Sequence, residues 1–540
     1  MKHFLFSLTL LLCLPSVSHA HFIWVLTGSG DDAGRVQVFF GEAAEADDPE
    51  LLDRIINAEV WSIGGRGKSE KLHLTKGEDA LESPLSEKLR QNPVVLKYTY
   101  GVFTRGQSSF LLNYYAKAYP FALPGTWNAI EDKERLPLEI VPTRNGNTTA
   151  LQLTWNGKPS SGSEIVIVGP GIKDKLEGTT DEAGNFRCEL PAAGVYSIRG
   201  KVTEEGEGTH NGEKYGAIRH YTTLTLHNVP SELQGAKHKL AELPQGITSF
   251  GGAIAGDTFY AYGGNYGSAH EYTNEEQSND LWALNLANGT EWKKASSGPR
   301  LQGLAMVAHE GLLYRAGGFT ALNKEGEDQN LQSQNSVAQF NPATGIWKEL
   351  PPLPEPRSSH DAAVLGNVLY VAGGWNMPGA GNDQAWHQTA WALDLSNEDA
   401  QWKAIATQPF QRRALSLAAW NGKLYCIGGM QMDGGPTTQA NVYDPATDSW
   451  SDAPALLGTS MDGFGRSAFA CDGALFVSTI SGSLQRLSAD GKSWDFVGQL
   501  DHPRFFHRMV PWKDSSLVAV GGGNMSVGKV TEIDLIPVRK

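Results

Sequence analysis

The chain is predicted to be all-β, with a six-bladed propeller over residues 237–540 behind a β-rich region over residues 21–228. Three observations carry this. A short unit occurs six times in the C-terminal part, and each copy has two apolar strands, the second ending in a glycine pair. The pairs fall at Gly263-Gly264, Gly317-Gly318, Gly373-Gly374, Gly428-Gly429 and Gly521-Gly522, and the first four recur about every 55 residues, a period of propellers and arrays. A third strand follows each pair, and Trp292, Trp347, Trp402, Trp450 or Trp494 then opens a fourth. Four antiparallel strands make one blade.

The copies are read in order. "FGGAIAGDTFYAYGG", "GLAMVAHEGLLYRAGG", "HDAAVLGNVLYVAGG" and "LSLAAWNGKLYCIGG" open the first four units, and alternation with β-branched and aromatic residues marks the strands. Glycine pairs allow positive φ and close approach of neighbouring chain. The tryptophans are expected between blades, where a large ring buries much apolar area. The fifth copy is degenerate and ends at Ser481-Gly482. The sixth stops after its third strand. Its missing strand is expected at residues 237–244, "KHKLAELP", which aligns with "WKELPPLP" at 347–354. Closing the ring this way removes two exposed sheet edges.

The pattern of glycine pair and then tryptophan resembles the kelch repeat over residues 237–540. That resemblance implies a kelch-type propeller and three kinds of role: protein-interaction scaffolds, six-bladed bacterial sialic-acid mutarotases, and copper radical galactose oxidases. The last comparison fails here, because no cysteine-tyrosine pair with matching ligands is evident and the blades number six.

Residues 1–20 read as a secretory signal peptide. Lys2 and His3 lead the apolar run "FLFSLTLLLCL", and "SHA" places small residues before a cleavage site after Ala20. The run is too short to span a bilayer, and no later stretch reaches that length. A secreted or periplasmic protein without membrane insertion is expected. Residues 21–142 form a first β-rich part, 143–228 an Ig-like or carboxypeptidase-regulatory-like β-sandwich, and 229–236 a linker. "AHFIWV" at Ala20, "YYAKAY" at Tyr114, "LPLEIVP" at Leu136, "NGKPSSGSEI" at Asn156 and "RHYTTLTL" at Arg219 resemble an uncharacterised periplasmic family linked to cobalt and nickel uptake. The resemblance implies metal handling.

The formal net charge of −14 disfavours nucleic acid and anionic membranes as partners. Cys188, Cys426 and Cys471 lie in apolar strand patterns and are expected as buried free thiols. Two candidate sites follow. After cleavage, His21 would offer an amine and an imidazole to one ion. With His220, or His210 in reserve, it would make a nitrogen-rich site suited to copper or nickel. The other candidate is the propeller face that carries the loops after the glycine pairs. Arg300, Arg357, Arg413, Arg466 and Arg504, with Arg412, lie on the crossovers opening there, beside Trp375 and Trp386 in a long loop. Guanidinium binds carboxylate bidentately, and indoles stack on sugars, so a glycan or small acidic ligand is one expectation and a protein partner another. His360, Asp361 and His507 at the mouths of the inner strands could supply an acid and a base. The main reading is an exported binding protein. The alternatives are an enzyme acting on a sugar acid and a protein-interaction scaffold.

Overall fold

The computed structural model describes residues 21–538, apart from 29–33, 66–67, 131, 237–239 and 269. The proposed signal peptide lies outside the described residues. The N-terminal region has three β layers. A central eight-stranded sheet runs from Leu176–Thr179 and Glu164–Val168 through Gly194–His210, Glu213–Asn228, Ser108–Ala118, Val94–Arg105 and Glu59–Ile63 to Ser69–Leu72. A four-stranded sheet containing Phe22–Thr27 and Arg35–Gly41 covers one face. The buried side chains of Trp24, Phe40, Leu96 and Tyr114 fill that layer. A second small sheet, with Leu138–Asn145 and Thr148–Trp155, covers the other face over Tyr115, Ile165, Leu151 and Leu224.

This arrangement changes the expected division of the N-terminal region. Residues 217–225 pair in parallel with 110–118, so the two parts share one sheet, and the boundary drawn after residue 142 falls inside the strand Leu138–Asn145. Alternation along Glu213–Asn228 puts every second side chain on opposite faces. Tyr221 therefore joins the first core and Leu224 the second.

The six blades follow in sequence. Their innermost strands are Gly251–Ala255, Ala305–His309, Asp361–Leu365, Ser416–Trp420, Ser467–Cys471 and Arg508–Trp512. Blades 1 to 5 each contain four antiparallel strands, and blade 6 contains three. Beside the third strand of blade 6 the chain returns irregularly. Ala236 N–H donates to the Leu535 carbonyl at 2.6 Å and Leu243 N–H to Thr531 at 2.9 Å, an antiparallel order of contacts beside the last strand. Trp292, Trp402, Trp450 and Trp494 each donate an indole N–H to a carbonyl of the preceding segment, at Ala241, Pro351, Ala406 and Pro454. Trp347 instead packs its ring on Tyr262 of blade 1 and Phe340 of its own blade. Gly374 shows what the glycine pairs permit: at φ 86°, a Cβ there would lie 2.7 Å from the Ser358 carbonyl oxygen. Cys188 and Cys426 are buried free thiols and Cys471 is buried, and burial pushes the Cys426 thiol up to about 11.

The segment expected as a linker is pinned. Leu233 N–H donates to Val497 at 2.7 Å, and Glu232 pairs with Arg486 at 3.0 Å. The N-terminal unit also touches blade 5, where Gln91 accepts the Ser460 N–H at 3.1 Å. A Cβ on Gly125 would overlap the Ser481 carbonyl. The degenerate turn of blade 5 is where the two regions meet.

Candidate functional site: the loop face and axis of the propeller

Each innermost strand is preceded by a residue in the left-handed region: Ser249, Gly303, Ser359, Ala414, Gly465 and Phe506, with φ between 50° and 63°. Their backbones form a ring around the axis. Gly303 donates to Ser249, Ser359 to Gly303 and Ala414 to Ser359, each at 2.7 Å. Ser249 donates to Phe506 at 3.1 Å and Phe506 to Gly465 at 2.6 Å. The gap between Ala414 and Gly465 is bridged by the Arg466 guanidinium, whose Nη1 and Nη2 reach the Ala414 carbonyl at 3.0 and 2.9 Å. Only two of the six positions are glycine, so the four other residues hold a conformation that neighbouring structure must enforce.

The first residue of each innermost strand sits just inside the ring. Four are small: Gly251, Ala305, Ser416 and Ser467. The other two, Asp361 in blade 3 and Arg508 in blade 6, occupy opposite blades and pair across the axis at 2.9 Å. Asp361 also accepts the Leu417 N–H at 3.0 Å, and Arg508 reaches the Leu304 carbonyl at 3.3 Å. Arg508 therefore spans the channel. The remaining axial cavity is about 70 Å³, lined by the ring with His360, Arg466, His507 and Arg508.

The expected arginine-lined cup is corrected here. Arg357, Arg412 and Arg504 occupy the same repeat position, two residues before the ring, and are fully buried. Each Nη1 donates to the carbonyl of the first glycine in its own pair, at 2.8 Å to Gly373, 3.1 Å to Gly428 and 3.1 Å to Gly521. Each also reaches a carbonyl before the third strand: Thr389, Gln439 or Glu532. These side chains brace the blades. Arg300 is half-buried and donates to the Gln277 carbonyl. Burial pushes Arg357 down to about 10 and Arg466 down to about 9.

Three of the predicted side chains do converge. The Arg413 guanidinium lies 4.2 Å from the Trp375 ring centroid and 5.5 Å from Trp386. The two indoles meet edge to face at 5.5 Å. Across the axis, Phe464, Phe505 and Phe506 form a second aromatic group, with centroids 4.9 to 6.3 Å apart. His360 and His507 are buried beside the axis. Burial, with the charges of nearby arginines, pushes both imidazoles well below their ordinary range. His507 contacts Ser478 at 2.6 Å. Asp361 is held by Arg508, so no free acid and base stand together there.

The expected metal ligands do not converge either. His21 packs on Phe40 and lies 3.4 Å from Asp47, on one face of the central sheet. His220 lies on the other face, with Nδ1 at 3.1 Å from Tyr115 and Nε2 at 3.0 Å from Glu204. His210 pairs with Glu213 at the hairpin end, seven residues along that strand from His220, roughly 23 Å away at strand rise. Among the described residues, no three histidine, cysteine or carboxylate side chains are grouped to hold a metal ion.

Sequence reasoning missed the Asp361–Arg508 strut. The signal was present: aligned on their inner strands, the copies start with small residues in four blades and opposite charges in the other two.

Comparison with known proteins agrees with this architecture. The Kelch motif matches residues 356–407 and 411–457. Mouse Kelch-like protein 35 is 28% identical over 200 residues, covering 37% of this chain and 30% of that protein. Human Kelch-like protein 33 is 36% identical over 134 residues, 24% of each chain. The chain thus spans less than a third of these relatives. A solved structure titled "Structure of YjhT" has a TM-score of 0.45 at 20% identity, over 56% of this chain and 97% of that one. Among the described residues, no helix is long and apolar enough to cross a membrane. With the repeats, the blades and the Kelch-motif match together, the C-terminal region of this chain is a kelch-repeat β-propeller.

Proposed function

We propose that this chain is an exported protein-interaction module that docks a partner on the loop face of its propeller. The observation that carries this reading is the distribution of exposed large apolar side chains. Of seven such residues described in the propeller, Leu322, Met432, Leu457, Met461, Met525 and Val527 lie on loops or crossovers of one face. Met525 and Val527 are 83% and 76% exposed. Only Ile346 lies at the opposite end. Exposed apolar groups gathered on one face mark an interaction surface, and methionine adapts its shape to a partner. Long loops on a rigid scaffold provide the contacts. Kelch-like relatives support a scaffold role, and the leader-like residues 1–20 support export.

The loops also describe the partner. Those after the glycine pairs of blades 1 to 4 carry eight carboxylates and one lysine. The complementary surface is cationic, with apolar side chains to meet the methionines. Glycan binding is the weaker reading, because Arg413 already covers the Trp375 ring. Turnover of a sugar acid fits poorly with an axial cavity of about 70 Å³, well below the several hundred Å³ of ordinary ligand pockets.

The test is cross-linking capture from the native host with wild type and three variants. Met525→Glu/Val527→Glu and Met432→Glu are expected to lose the captured partner, and Ile346→Glu to keep it. Equal capture by all forms would overturn the assignment of the face.

A further inference from the structure

In blades 2 and 3 the residue before the ring position is hydrogen-bonded to the loop of the preceding blade, Gln302 to Gln277 at 3.3 Å and Ser358 to Ser333 at 2.9 Å. Blades 5 and 6 carry Phe464 and Phe505 there, which pack on one another. Blade 4 alone has a charge at this position, Arg413. Its guanidinium rests on the two indoles of the blade 3 loop.

Arg413 differs from the bracing arginines in having nothing to donate to. Its Nε is buried without a hydrogen-bond partner, and so is Trp375 Nε1. Its two terminal nitrogens likewise have no acceptor among the described residues, but they are not buried. Burial pushes Arg413 down from its ordinary range, and the group that acts against this is the Tyr272 hydroxyl in place of a carboxylate. The loops of this face hold eight carboxylates, yet none is paired with Arg413. A charge drawn partly out of water is costly unless paired. Stacking on the indoles orients the guanidinium and leaves the outer side of its fork open.

We infer that Arg413 receives one carboxylate of the docked partner, an aspartate or glutamate side chain, on its two terminal nitrogens. This rests on the docking reading above. The magnitude decides the source. One charge-assisted pair is worth roughly ten- to a hundredfold in affinity. That is too little to hold a dilute free acid, but enough to seat a carboxylate whose local concentration a docked surface has already raised. The partner's cationic groups lie opposite the acidic loops, so its carboxylate has one place to sit and sets the register. A lysine at that point would meet like charge.

Arg413→Lys in the full chain supplies the test, because it puts an amine at the same point. A water-soluble carbodiimide joins such an amine to a touching carboxylate as an amide and takes up the water released. Mass spectrometry of the captured complex should show position 413 joined to an aspartate or glutamate of the partner. Arg413→Met should weaken capture about tenfold, the loss of one charge-assisted pair. A second measurement needs no partner. The indole N–H resonance of Trp375, assigned with Trp375→Phe, is followed while N-acetylglutamate N-methylamide or its glutamine analogue is added at one ionic strength. A shift is expected with the glutamate probe only, and none in Arg413→Met. Absence of that shift would overturn the site, even where Met525→Glu/Val527→Glu still loses the partner. A shift without coupling at position 413 would assign the site to a free acid and overturn the partner's carboxylate.

Discussion

The strut between Asp361 and Arg508 makes a quantitative claim about how opposite blades are tied. At 2.9 Å, an effective dielectric of about 20 gives roughly 6 kcal/mol of attraction. Desolvation of two largely buried groups offsets most of that. Asp361→Asn should strand the Arg508 charge and destabilise the chain by about 3 kcal/mol, within the range for breaking a buried pair. Arg508→Met should cost a similar amount by stranding Asp361. The double variant leaves neither charge unpaired and should recover part of the loss. The expected coupling in the cycle is about 2 kcal/mol, a factor of about 30 in the unfolding constant. Urea unfolding followed by tryptophan fluorescence measures it, with circular dichroism checking that both probes report one transition. A coupling below about 0.5 kcal/mol, which is within ordinary additivity, would show that the pair is incidental and that the ring alone holds the axis.

Three further outcomes are expected. His360 and His507 are held neutral in the fold, while unfolded imidazoles take up protons below about pH 6.5. The unfolded state then binds more protons, so their contribution is intact above that pH and is lost as pH falls, by about 1.4 kcal/mol per unit for each group; a urea midpoint that stays flat from pH 7 to 5 would contradict this. Trp450→Phe removes the bond to Ala406 at 2.8 Å and should cost about 1 kcal/mol or more, seen as a lowered urea midpoint without loss of β signal. Gly125→Val should part the N-terminal unit from blade 5, because any Cβ meets the Ser481 carbonyl; faster proteolysis within residues 229–236 in an otherwise folded chain is the expected readout, and an unchanged cleavage rate would count against the docking.

The propeller was legible because its determinants are local and repeated. A glycine pair and a tryptophan recur in nearly every copy, and each recurrence strengthens the reading. The same repetition misled the site assignment. Arg357, Arg412 and Arg504 were read as ligand groups because they point toward one axis, yet a residue that recurs in one repeat position performs one structural task each time. The informative residues were those that break the repeat. Asp361 and Arg508 replace small residues, Arg413 stacks on Trp375 once only, and blade 5 lost a glycine where the N-terminal unit docks. In the N-terminal region the strands were visible, but the parallel pairing of residues 217–225 with 110–118 joins segments a hundred residues apart. No local pattern encodes that partnership. His21 and His220 stand apart for a related reason: they are placed on opposite faces by a sheet whose order the sequence does not state.

Ala236 meets Leu535 of the final strand, and Leu243 meets Thr531 just before it. During synthesis the first of these segments emerges almost 300 residues before its counterpart. Until the last turn of the chain arrives, blade 6 does not exist and the propeller is an open arc with an unpaired edge at each end. Such edges template association with other chains. The entropy of joining distant ends grows only slowly with their separation, so the joint is cheap once both halves are present. The delay lies in waiting for residues 531–535. Loss of even the last ten residues, including Thr531 and Leu535, would therefore leave a nearly complete propeller permanently unlatched, with the failure appearing as aggregation of the whole chain and not as fraying of its tail.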